Sequence, residues 1–397
     1  GRDALAANTT ASNNTAVGKS ALQDNTTGTE GTAVGHESLA NNTTGDRNTA
    51  LGQSSLVTNT TGTQNTAVGH DALFTNNANY NVAVGKDALY YNSTGTQNTA
   101  VGSLSMDANT TGQNNTALGF HALSANTTAD SNVAFGNYTL YSNSTGHSNT
   151  ALGRGSLADN TTGDKNVAVG YQALTLNTTA NGNTAVGYEA LKSNTTGNAL
   201  DAFGFNALEN NTTGTHNVAV GFEALESNTI GVSNVAVGTY SLIENTEGES
   251  NTAIGRSALG SNTTADNNTA VGRSSLGANT TGYSNTAVGK GALDANTTGK
   301  QLTAVGHGAL TANTTADYNV AVGEQSLEAN TTGEKNTAVG TFALEEQTTG
   351  SGNTGIGYAS LMSNTTADYN TGVGRNALVS NTTASNNTAV GYAALNG

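Results

Sequence analysis

A seventeen-residue phrase, N-T-A-V-G-x-x-A-L-x-x-N-T-T-G-x-x, returns through the whole chain. With the glycine of A-V-G as position 0, it falls at Gly18, Gly35, Gly52 and Gly69, then at Gly85 and every seventeenth residue to Gly391. Only the step from Gly69 to Gly85 is one residue short. Self-similarity at a fixed short period is the mark of a solenoid, in which one unit stacked on its neighbours makes the fold. The expectation is a single continuous array over 1–397, about 23 coils without separate domains. It starts at Gly1 in position 0 and stops mid-repeat, where solenoids usually carry atypical caps. It therefore reads as a window of a longer fibre.

Each unit has two apolar windows. The first, N-[T/V]-A-[V/L/I/F]-G, is short and β-branched, as strands are. The second, [A/S]-L, puts Leu at position +4 in every unit but one, where Met106 stands. No amphipathic helical period is present, and Asn, Thr and Gly weaken helices. The predicted class is all-β: a parallel β-solenoid, or β-roll, with two short strands and two turns per coil. At about 4.8 Å per coil the array would span on the order of 110 Å.

Period two places Thr15 and Val17 on one strand face and Ala16 and Gly18 on the other. By side-chain size, the Val face is expected to enter the coil with the leucines. That gives a core of Val17, Leu22, Val34, Leu39, Val186, Leu191 and Leu208, and leaves an Ala/Gly stripe outside to pack on other copies.

Asparagine recurs at position −4, as in Asn48, Asn65, Asn98 and Asn115, with breaks at Gly31, Leu200 and Leu302. Stacked amides could bond along the axis, or each could hold its own turn. The N-T-T turn at position +7 is also an N-glycosylation sequon. It gives candidate acceptors at Asn8, Asn25, Asn42, Asn59, Asn109, Asn126, Asn160, Asn177, Asn194, Asn211, Asn262, Asn279, Asn296, Asn313, Asn330, Asn364 and Asn381, and as N-S-T at Asn92 and Asn143. A turn rich in Asn and Thr for backbone reasons writes the same letters. The following hydroxyls, such as those of Thr26 and Thr27, are alternative O-linked acceptors.

Composition narrows the function. The net charge is −15, with no basic block of the kind nucleic-acid binding needs, and no apolar run approaches a membrane span. No nucleic-acid partner and no membrane contact are expected. The six histidines fall in different positions or in distant coils, which gives no expected metal site. No catalytic residue and no cofactor are expected, so the chain does not read as an enzyme. Tyrosines scatter without a fixed stacking register. Adjacent turn threonines point to opposite faces, which disfavours an ice-binding solenoid.

At N-[T/V]-A-V-G-x-x-[A/S] the unit resembles the head repeat of YadA-type trimeric autotransporter adhesins, whose core is a similar S-V-A-I-G. It is also similar to repeats of phage tail-fibre and bacterial surface-fibre proteins. About half of each unit matches, along the whole chain; the YadA unit is shorter, and the extra residues here lie in the N-T-T-G turn. The resemblance implies a left-handed β-roll with three chains around one axis, at the cell surface or outside the cell. The expected function is a structural extracellular fibre or surface appendage, glycan-coated if the sequons are used. The alternatives are an adhesin or tail-fibre shaft that grips a host glycan or matrix, and an ice-binding solenoid. The expected partner is the chain itself, as a homo-oligomer and most simply a trimer.

Overall fold

The computed structural model describes residues 1–396, and the chain divides into two compact units, Gly1–Ala199 and Leu200–Gly397. Among the described residues there is no helix, and every strand has three residues. The first unit carries β1 (Thr15–Val17) through β11 (Thr184–Val186); the second carries β12 (Asp201–Phe203) through β23 (Thr388–Val390). Within each unit consecutive strands pair in parallel and in register. Thr15 lies opposite Thr32, Ala16 opposite Ala33 and Val17 opposite Val34. Thr269, Ala270 and Val271 meet Thr286, Ala287 and Val288 in the same way. The fold is a parallel β-solenoid.

Each coil holds one strand rather than the expected two. The Ala-Leu window is not extended, because the residue at position +4 has φ between 49° and 55° in every coil. Position +2 and position −5 are left-handed as well, as at Glu37 (57°) and Glu30 (59°). These corners turn successive amides in opposite directions along the axis. The Leu39 N–H donates to Ser55 O of the next coil at 2.9 Å, whereas the Glu37 N–H donates to Lys19 O of the preceding one at 2.9 Å.

Position 0 admits glycine alone. Gly35 has φ of 142°, and a Cβ there would lie 2.4 Å from the carbonyl oxygen of Gly52. The backbones of neighbouring coils touch at this point, so no side chain fits between them.

The strand faces the opposite way to the expectation. Ala33, Ala50 and Ala185 are fully buried, while Val17 is 56% exposed and Val34 and Val186 are half-buried. Of the expected core, Leu22, Leu39, Leu191 and Leu208 are inside; Val17, Val34 and Val186 line the outer face. The reason is thickness. The leucine at +4 reaches across the coil to the strand, and only a methyl fits opposite it. Where glycine replaces that alanine, a Cβ at Gly355 would already sit 3.2 Å from Leu344 Cγ. An isopropyl group would overfill the coil.

Candidate functional surfaces

Polar side chains complete the interior. Asn42 is buried, and its Nδ2 donates to Asn25 Oδ1 at 2.8 Å and to Gly45 O at 2.9 Å. Asn59 Nδ2 repeats the pattern on Asn42 Oδ1 at 3.0 Å. The second asparagine row runs beside it. Asn48 Oδ1 accepts from the Asn65 backbone N–H at 3.0 Å, and Asn48 Nδ2 donates to Gly62 O at 2.7 Å. Gly62 O also accepts from Asn59 Nδ2 at 3.0 Å, so both rows meet at one carbonyl. These amides are satisfied in their own coil and the neighbouring one, which is what makes a buried polar row tolerable; Asn330 Oδ1, beside the Gln347 interruption, is the exception in the +7 row among the described residues.

This geometry overturns the sequon reading for the folded chain. Asn25, Asn42, Asn59, Asn92, Asn109, Asn126, Asn143, Asn160, Asn177, Asn194, Asn211, Asn262, Asn279, Asn296, Asn313, Asn330 and Asn364 are all buried. The nitrogen a glycan would need points inward; Asn25 Nδ2, for instance, spends its hydrogens on Asn8 Oδ1 at 3.2 Å and Gly28 O at 3.0 Å. Only Asn8 and Asn381, in the outermost coils, keep exposure. Of the two threonines, Thr26 Oγ1 donates to Thr43 O at 2.9 Å, and Thr27 is exposed.

The outer face is built from the other two strand residues. Leu51 is 44% exposed and Leu152 48% in the first unit, and Phe203 and Ile254 are each 41% exposed in the second. Beside them runs position −3, which is Thr or Val in every strand except β12, where Asp201 stands. In-register pairing stacks like on like, so each unit presents a β-branched, largely aliphatic stripe in place of the expected Ala/Gly one.

The variable positions cluster more than their spacing suggested. Rings pair between adjacent coils: Phe74 with Tyr90 at 4.9 Å, Tyr171 with Tyr188 at 5.2 Å and Phe205 with Phe222 at 5.1 Å. One histidine does join a group. His70, Asp71 and Asp87 bring their ligand atoms within 4.8 Å of one another, and Lys86 Nζ sits 2.5 Å from Asp87 Oδ2. Stacking of equivalent positions in adjacent coils creates the group, which distance along the chain conceals.

In the second unit, Gly260 and Gly277 stand in consecutive coils at position +5, where most coils carry a larger side chain. They open a trough of about 440 Å³ bounded by Tyr240 and Asp294 and lined by Ser257 and Ser274. Burial pushes the Asp294 carboxyl above its usual range, with Arg273 opposing. Two successive glycines at one repeat position are the sequence signal for this trough. A smaller depression of about 280 Å³, lined by Arg256, Ser257, Arg273 and Ser274, adjoins it.

No protein-family model matches the chain, and no curated protein is significantly similar to it.

Proposed function

We propose that this chain is a structural component of an extracellular or cell-surface fibre, and that it associates with copies of itself through the outer strand face. The observation that carries the reading is the uncovered Thr/Val stripe of each unit, with Leu51 and Leu152 in the first and Phe203 and Ile254 in the second each more than two-fifths exposed. A contiguous apolar strip of this kind marks an interaction surface. Its residues repeat once per coil, about every 4.8 Å. A partner that covers such a strip must carry the same axial repeat, and a second copy of this chain does. Three copies around one axis is the arrangement that the resemblance to YadA-type heads suggests. Interior amide rows and axial backbone bonds supply stiffness, which suits a spacer or appendage.

The test is the oligomeric state of the full chain by light scattering, compared with a variant carrying Val271→Asp, Val288→Asp and Val305→Asp. The expected result is a trimeric wild type and a folded, monomeric variant. A wild type that stays monomeric at high concentration sinks the reading. The outward threonine row at position −3 favours ice binding more than the turn threonines do. However, Val82, Val133, Val167, Asp201, Val218, Val235 and Val320 interrupt it. Thermal hysteresis from the monomer would move that reading to the front.

A further inference from the structure

Position +1 is exposed, and four consecutive coils of the second unit fill it with basic residues: Arg256, Arg273, Lys290 and His307. The chain as a whole carries a net charge of −15. In the linear sequence these residues are seventeen apart and make no block; the solenoid stacks them into one strip.

Apart from Lys19, which is followed by Ser20, the other basic residues at this position have different neighbours from those of the strip. Elsewhere an acid at +2 usually lies beside the basic residue: Arg2 pairs with Asp3 at 3.4 Å, His36 with Glu37 at 3.8 Å, His70 with Asp71 at 3.0 Å and Lys86 with Asp87 at 2.5 Å. Arg154 and Arg375 instead lie over tyrosine rings, at 6.0 and 5.5 Å. In the strip, position +2 reads Ser257, Ser274, Gly291 and Gly308. Among the described residues no carboxylate lies within ion-pair distance of Arg256, Arg273 or Lys290; His307 ends the run, 3.8 Å from Glu324. Asp294, half-buried in the adjoining trough, acts electrostatically on Arg273, but like charges one coil apart still repel, and an anion laid along the strip would relieve that repulsion.

We propose that Arg256, Arg273, Lys290 and His307 form a docking strip for a linear acidic polysaccharide with one carboxylate per sugar. Two features select this class. The basic side chains recur about every 4.8 Å, close to the length of one sugar ring along such a chain, whereas the phosphates on each strand of a B-form duplex recur about every 3.4 Å of helix axis. The strip also lacks the interleaved aromatic residues on which single-stranded bases stack. Beside it, Ser257 and Ser274 offer hydroxyls to sugar hydroxyls at the edge of the glycine-floored trough.

The experiment measures binding of the full chain to polygalacturonate as a function of salt. Dextran and oligothymidylate serve as comparison ligands. The wild type is expected to bind polygalacturonate at low salt and to release it as salt rises. The triple variant Arg256→Glu, Arg273→Glu, Lys290→Glu should lose at least about tenfold in affinity, with an unchanged circular dichroism melt because all three side chains are exposed. A second triple variant of the same net charge, Lys19→Glu, Lys165→Glu, Lys335→Glu, should bind like the wild type. Equal loss in both variants, no binding by the wild type, equal binding of dextran, or a preference for oligothymidylate would each overturn the proposal.

Discussion

Leu208 is fully buried, has φ of 53°, and bonds forward through its N–H to Ala224 O at 3.0 Å. That backbone state explains why position +4 is Leu or Met and never Val or Ile. A β-branched side chain in the left-handed region is a genuine outlier. Leu208→Ile would ordinarily be a volume-conserving swap costing under about 1.5 kcal/mol. Here it should cost about 3 kcal/mol, and Leu208→Met about 1 kcal/mol, once the left-handed penalty is added. Urea unfolding with an unchanged m value would check the order; equal effects of Ile and Met would refute it. A second residue-scale test lies where the +7 row is interrupted. Gln347 bonds the Gly350 carbonyl and accepts from Asn364 Nδ2 at 3.1 Å, but the buried Asn330 Oδ1 is left without a partner. Gln347→Asn should restore the row and stabilise that coil by about 1 kcal/mol. Hydrogen exchange would read this as roughly fivefold slower opening around residues 330–350. Faster exchange would show that the longer amide fits better.

The coil as an element was largely legible from the sequence. Its period fixed the stacking, Leu22, Leu39, Leu191 and Leu208 were recognisable as core, and the position −4 asparagines stood out as a row. The strand orientation was not legible, because side-chain size alone places Val inside. The deciding facts are the reach of the opposing leucine and its left-handed backbone, neither of which a pattern of apolar letters encodes. The sequons were misleading for a related reason: the same N-T-T letters describe an inward amide as well as an outward one. The sixteen-residue coil between Gly69 and Gly85 tests how strictly the element is built. In regular coils a backbone carbonyl at position +8 accepts from up to three amides of the preceding coil. Thr43 O takes the N–H groups of Thr26, Thr27 and Gly28 at 3.0, 3.1 and 3.3 Å. In the short coil Asn77 Oδ1 does this instead, for Thr60, Thr61 and Gly62 at 3.0, 2.9 and 3.3 Å. A side-chain amide thus replaces the missing peptide. Asn77→Ala should cost about 2 kcal/mol by stranding those donors, and Asn77→Asp much less because it keeps the acceptor. The readout is faster amide exchange at residues 60–62 in the alanine variant alone. Identical protection in both variants would mean that water satisfies the donors.

At the scale of the whole molecule, the two surfaces make different demands. The basic strip needs exposure, whereas the outer strand face is mostly aliphatic and repeats with every coil. Within each unit, strands contact only their immediate neighbours in sequence, so stability is close to a sum over coils and their interfaces. Burial of the outer face between copies would add the same increment at every coil. If association stabilises the folded state, mass action links melting to concentration. The wild type should therefore melt at a higher temperature as concentration rises. The Val271→Asp, Val288→Asp, Val305→Asp variant should melt at a lower temperature that does not vary with concentration. About a hundredfold excess over the dissociation constant corresponds to about 2.7 kcal/mol for a single-site equilibrium, enough to resolve by calorimetry. A concentration-independent wild-type melt that coincides with the variant's would mean that the Thr/Val stripe is left open to solvent, and the fibre reading would lose its physical basis.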